Sequence, residues 1–464
     1  MGGDEAHDSW RCVQPRRVRI HLHIVGGESL TLPIQILPGF RCPPMHVEDS
    51  KFHEWPFYFN CSAMPVPMSA MHTPPAALPA FPHDAPVSPA SVGVDAERLA
   101  RAVDLFRAQQ ARGLFPGGQL VVRRRGGLVA SVAVGLARGA RGEEAEAPAT
   151  ASTRFNMHSA SKPLVGLCIA RLEEAGAVAL ESPVARYVPE FAANGKGTIT
   201  LLDVLTHRGG VLLPELIASP ERWADPEAVL RALADAVPSY PRGTLAYHPH
   251  EFGWILAEVV RRVAGEPLDA FCTRELLAPA GLSGMAFRGE AAWRGEVART
   301  YWVGRRPHRL NGVDLAPLLE TTFHAEPAFS TLVPGASLWT DAAHLAGFYE
   351  VLVAGGVTRE GRRLLREETV RAYTARAVFG LDRANRVPMT VGRGFLVGAP
   401  WPSFYGGWGT SGCFGHAGAL DTLAFGDHAT GLAVALVTNG SGGNMDFLRR
   451  FRPLVSALRK ACLS

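Results

Sequence analysis

The sequence predicts a fold of the α/β class in its α+β form: an antiparallel sheet flanked by helices, with an all-helical insertion between its first and last strands. Three observations predict it. Residues 119–124 and 128–134 read as two strands around Arg125-Gly126-Gly127, a hairpin signal. From about 155 to 350 the apolar spacing is mostly helical. The strand pattern then returns at 413–417, 420–425 and 431–438. Strands near both ends of the folded region, with helices between, require that those ends meet in one sheet.

In chain order, residues 1–90 stand apart as a disordered or loosely attached extension. They hold 14 of the 35 prolines and five of the nine methionines, too irregular a composition for a packed core. Residues 18–24 alternate as a strand would, with no obvious partner nearby. A start at Met64, Met68 or Met71 would leave the upstream part outside the native protein. Residues 91–464 form the folded domain. Asp95 is placed to cap a helix with Leu99, Ala102, Val103 and Phe106 on its inner face, and Gly113 ends it. Residues 443–461 close the chain as a helix.

Composition excludes several classes. With 464 residues, 47% hydrophobic and 19% charged, the chain is neither disordered overall nor fibrous. It lacks an apolar run of 18 or more residues, so no transmembrane helix is expected. A net charge of +4, without clustered basic residues, argues against a nucleic-acid partner. Seven scattered cysteines without a CxxC pair, and an N-terminus beginning Met1-Gly2-Gly3-Asp4-Glu5, point to reduced thiols in the cytoplasm. Nothing in the sequence sets an oligomeric state.

Of the 47 basic residues only four are lysines: Lys51, Lys162, Lys196 and Lys460. Where a generic positive charge suffices this chain uses arginine. A lysine here is therefore a candidate for a task that needs an amine able to lose its proton.

Three constellations carry possible chemistry. In Ser159-Ala160-Ser161-Lys162, at the start of an apolar helical run, Ser159 and Lys162 share one helix face. A buried amine of lowered pKa can accept the serine proton, and the helix N-terminus favours the developing anion. The plain alternative is a solvated first turn. Tyr247 lies in a loop before a helix whose inner side carries Phe252, Ile255, Leu256 and Val259, so its phenol can face a cleft and relay a proton if Lys162 lowers its pKa. It could equally anchor the loop. In His416-Ala417-Gly418-Ala419 on a late strand, Gly418 would admit a substrate to an edge strand, and the amide after it would serve an oxyanion. His416 would bond a substrate carboxylate or carbonyl, or simply pack.

The order Ser-x-x-Lys, Tyr, His-x-Gly resembles the serine β-lactamase-related superfamily, above all class C-like enzymes and family VIII carboxylesterases. The resemblance covers about 95–460. It includes Gly117-Gly118-Gln119, Glu181-Ser182-Pro183-Val184 and the block from Ile199 to Gly210, a structural turn in that family. It implies a β-lactamase/transpeptidase-like fold, with Ser159 as acylated nucleophile and Lys162 and Tyr247 as the proton-transfer group. It also implies oxyanion donors at the amides of Ser159 and Ala419, no cofactor, and a small-molecule ester as substrate. Two departures matter. Pro249 stands where the family carries Asn, and His416-Ala417-Gly418 where β-lactamases carry Lys-Thr-Gly. Both weaken the grip on a β-lactam and favour a carboxylesterase of neutral esters. The alternatives are a D-amino-acid peptidase or amidase, a weak β-lactamase, or a non-enzymatic binding member. A metal hydrolase built on His21 and His23, or on His248 and His250, lacks an acidic third ligand at a suitable spacing. No G-x-S-x-G elbow supports an α/β-hydrolase.

Overall fold

The computed structural model describes residues 16–23, 29–36, 84–310 and 312–462. The chain divides into two units, Met1–His72 and Thr73–Ser464. In the first, Arg16–His23 pairs antiparallel with Ser29–Ile36, from Arg16 opposite Ile36 to His23 opposite Ser29. The strand read at 18–24 thus has a neighbour in sequence after all; Pro33 in that neighbour masks its pattern. The Pro/Ala-rich stretch 64–83 lies outside the described residues.

The second unit is built on a nine-stranded antiparallel sheet. In chain order its strands are β1 (Gly117–Arg124), β2 (Gly127–Arg138), β3 (Ala147–Pro148), β4 (Val378–Asp382) and β5 (Val387–Val391). β6 (Leu396–Val397), β7 (Cys413–Gly418), β8 (Thr422–Asp427) and β9 (Leu432–Thr438) complete it. Their spatial order is β4-β5-β6-β7-β8-β9-β1-β2-β3, so the first and last parts of the domain meet where β9 pairs with β1. β4 to β6 were not foreseen. Phe379 and Leu381 of β4 are exposed and β5 contains Pro388, so neither shows a clean inward face.

Alternation along the strands separates two cores. Leu432, Val434 and Leu436 of β9, with Leu120 and Val122 of β1, pack under α1 (Ala96–Ala111) and the closing helix, which spans Asn444–Ala461. Asp95 caps α1 by accepting from the Arg98 amide at 2.9 Å. The opposite face carries Ala433, Ala435 and Ala424, small enough to admit the helix Ala342–Val353, and a Cβ on Gly426 would come within 2.7 Å of Val353. The same core holds α2 (Lys162–Glu174), buried from Lys162 through Ala170. This helix is apolar all round because it is enclosed all round. α3 (Glu251–Ala264) packs on it. The stretch 155–350 is mainly helix and turn, interrupted by two-residue strands such as Phe155–Asn156 paired with Trp339–Thr340.

Asp84 belongs to this unit, ahead of residue 91. Its carboxylate bridges Arg123 of β1 and Arg359, both at 2.8 Å, and Glu350 pairs with the same two guanidiniums at 3.0 and 2.7 Å. No described helix is long and apolar enough to cross a membrane.

Candidate active site

Ser159 sits in a single 3₁₀ turn, His158–Ser161, that runs directly into α2. One turn on, Lys162 reaches back: its Nζ lies 3.1 Å from Ser159 Oγ, 2.6 Å from the Pro249 carbonyl oxygen and 2.9 Å from that of Gly335. Lys162 is wholly buried, and burial brings its pKa down to about 7, with Glu251 opposing. The two carbonyls can only accept. They take the two N–H bonds of a neutral amine and leave its lone pair facing Ser159. Glycine makes this cage possible. A Cβ on Gly253 would meet the Gly335 amide nitrogen at 2.3 Å, so α3 and the 335 loop touch backbone to backbone beside the lysine. Ser161, the other serine of the motif, is buried and donates to the Pro334 carbonyl at 3.1 Å.

Tyr247 precedes α3. Its amide donates to Asp382 Oδ1 at 2.8 Å, and its ring lies 4.7 Å from that of His207. His207 lies in the 199–210 block, whose start is locked by a reciprocal Thr200–Asp203 cap. That block therefore buttresses the site as well as turning the chain. Burial pushes the Tyr247 phenol above the usual tyrosine range, with the Ser159 hydroxyl opposing. Lys162 Nζ lies over the ring face, 5.1 Å from its centroid. The group that titrates near neutrality is thus the amine, and the phenol stays protonated.

β7 brings the third constellation. It lies inside the sheet, yet β6 pairs only with Phe414 and Gly415, so residues 416–418 bond to β8 alone and their other edge is open. A Cβ on Gly418 would stand 2.1 Å from the Met157 carbonyl oxygen. The close approach that requires glycine is therefore that of the nucleophile turn. Ala419 and Leu420 follow with φ of 40° and 63°, closed by the Asp421 amide on the Gly418 carbonyl at 2.9 Å. This is a primed turn with no glycine or asparagine, a strained arrangement that Ser441 braces by donating to the Ala419 carbonyl. It also explains why strand β8 begins at Thr422 and not at 420.

His416 Nδ1 lies 2.6 Å from the Ala417 carbonyl oxygen, so that nitrogen carries the ring proton. Burial lowers the ring's pKa to about 3. A neutral ring so oriented offers only the Nε2 lone pair, and the donation to a substrate carboxylate or carbonyl expected of it does not follow.

Ser159, Tyr247, Pro249, His416 and Ala419 line one cleft of about 150 Å³. No Lys, Arg, Asp or Glu lines it among the described residues. Of its histidines, His158 and His250 are, like His416, lowered by burial to about 3, and His308 is lowered too. The side chains lining the cleft are thus uncharged at neutral pH, and Lys162 lies behind Ser159, outside that lining. His248 and His250, weighed as a metal pair, turn to different neighbours: the His248 ring lies tilted against His207 at 5.5 Å and that of His250 against Trp223 at 5.5 Å. No group of three or more metal-competent side chains occurs among the described residues. The sequence reading missed Gly335, Glu251 and His158. Glu251, a buried carboxylate on an otherwise apolar helix face, accepts from the Leu213 and His250 amides at 2.6 and 3.1 Å, and its position in the pattern was the available signal.

A family model described as Beta-lactamase matches residues 102–459. The chain is 30% identical over 377 residues to Esterase/beta-lactamase LipL of Mycobacterium tuberculosis, covering 77% of this chain and 85% of that one. It is 28% identical to Esterase EstB of Burkholderia gladioli, covering 81% and 98%. Among solved structures, a penicillin-binding protein homolog from Caulobacter crescentus superposes with a TM-score of 0.65 at 27% identity, covering 80% of this chain and 99% of that one. The chain therefore belongs to the β-lactamase family and is a serine hydrolase.

Proposed function

We propose that this hydrolase is a carboxylesterase that cleaves small neutral esters through an acyl-enzyme on Ser159. The observation that carries this reading is the uncharged cleft above the Ser159–Lys162 pair. A β-lactam or a D-alanyl peptide presents a carboxylate near the scissile bond, and this cleft offers it no cation. Two relatives bear the name esterase, which supports the same choice.

In this reading Lys162 takes the Ser159 proton as the oxygen attacks the ester carbonyl, and the amides of Ser159 and Ala419 receive the oxyanion. The intermediate then expels the alkoxide. Tyr247 hands it the hydroxyl proton, and the Lys162 ammonium restores that proton to Tyr247. Water releases the acyl group by the same route in reverse. We assign this chemistry to residues 91–464, with 1–90 as an attached extension in which Asp84 has a structural part. The buried free thiols of Cys168, Cys272, Cys413 and Cys462 support a reducing, cytoplasmic setting.

The test is intact-mass analysis after mixing with 4-nitrophenyl acetate, followed by peptide mapping. One acetyl group on Ser159, absent in Ser159→Ala, is expected. An acetyl group on Ser161, or unchanged turnover in Ser159→Ala, overturns the assignment.

A further inference from the structure

Resting on the esterase reading, we propose that the cleft contains two separate apolar subsites, one for each half of the ester. Ile217, Leu315, Leu318, Leu319 and Phe323 receive the acyl chain; Val387, Met389, Leu396 and Phe404 receive the alcohol. The substrate class is then a lipophilic ester with apolar groups on both sides of the scissile bond.

All nine side chains line the cleft that holds Ser159, but they belong to two different cores. The first five are part of the core of the helical half. Phe323 brings that wall to the nucleophile turn, its ring lying edge-on to His158 at 5.4 Å. Met389 and Leu396 instead cluster with Leu245 and Tyr247, and Val387 and Phe404 pack against this small group. The cleft that holds Ser159 is therefore lined by two separate apolar groups, one reaching the nucleophile turn through Phe323 and the other clustered with Tyr247.

Proton chemistry decides which half goes where. The leaving oxygen must gain a proton, and among the described residues lining the cleft Tyr247 is the one hydroxyl besides Ser159. An alcohol group placed to receive that proton lies along the Val387–Met389–Leu396–Phe404 wall. The acyl carbon, bonded to Ser159, then directs its chain to the opposite wall. Neither wall carries a charge, so each rewards methylene groups, by up to about fourfold in kcat/KM per CH₂ fully buried.

Ethyl octanoate and octyl acetate are isomers that carry the same chain on opposite sides of the ester, so they test the assignment directly. The wild-type protein is expected to turn over both at least about tenfold better than ethyl acetate. Leu318→Trp fills the acyl wall and should lower the ratio of kcat/KM for ethyl octanoate over octyl acetate by about tenfold. Met389→Trp fills the alcohol wall and should raise that ratio by about as much. Leu318→Phe and Met389→Phe should act in the same directions more weakly, and they serve where a melting curve shows that tryptophan prevents folding. Ratios that move together, stay constant or move the opposite way overturn the subsite assignment. If neither ester acylates Ser159 in the wild type, the esterase reading itself falls, and the subsites with it.

Discussion

The state of Lys162 is open to a direct test, because the structure sets both its pKa and its partners. The base in this mechanism is the neutral amine, and burial brings that group to about pH 7. The active form therefore accumulates as pH rises, and kcat/KM should climb through about pH 7 to a plateau. Two units below that point about 1% of the amine is neutral, so the rate should be about 100-fold lower there, with unit slope. The apparent value belongs to the group formed by Lys162, Ser159 and Tyr247. Lys162→Arg keeps a cation among the Ser159, Pro249 and Gly335 oxygens but cannot release its proton, since its pKa exceeds ~12. Turnover should fall by about 10²–10⁴, the usual worth of general base catalysis. A pH-stat assay with ethyl butyrate from acid to mildly alkaline pH measures both. A rate independent of pH across neutrality, or an Arg variant within about tenfold of wild type, would refute the proton-acceptor role and leave Lys162 an electrostatic part.

Three structural predictions accompany it. Gly418→Ala places a methyl group against the Met157 carbonyl, so the nucleophile turn or β7 must shift. We expect a loss of about 1–3 kcal/mol in thermal or denaturant unfolding and at least a 10²-fold fall in kcat; wild-type values for both would show that the turn and strand do not position each other. Deleting residues 1–63 should leave melting temperature and turnover nearly unchanged. Asp84→Ala removes the carboxylate that bridges two buried guanidiniums, which should cost about 3–5 kcal/mol in an unfolding titration. The opposite ranking would place the stabilising contact upstream of residue 64.

Much of the site is legible in the chain itself because its chemistry is local. A serine and a lysine three residues apart at a helix start must face the same way, and scarcity of lysine marks the pair. Period-two and helical spacing likewise reveal β1, β2, β7 to β9 and the helices between, since their apolar residues recur at the period of the element that buries them. The remainder depends on contacts between distant segments. Asp84 joins Arg123 and Arg359 across the fold, and the edge strand β4 and its neighbour β5 lack a one-sided pattern. The oxygens that cage Lys162 are backbone carbonyls of Pro249 and Gly335, which every residue type possesses and no motif can mark. The tautomer of His416 follows from one carbonyl 2.6 Å away, and the lack of charge in the cleft from which of many distant side chains the fold turns inward. Sequence spacing thus determined which groups could react. Tertiary packing decided their protonation and their company, because both depend on burial and on neighbours that only the folded chain supplies.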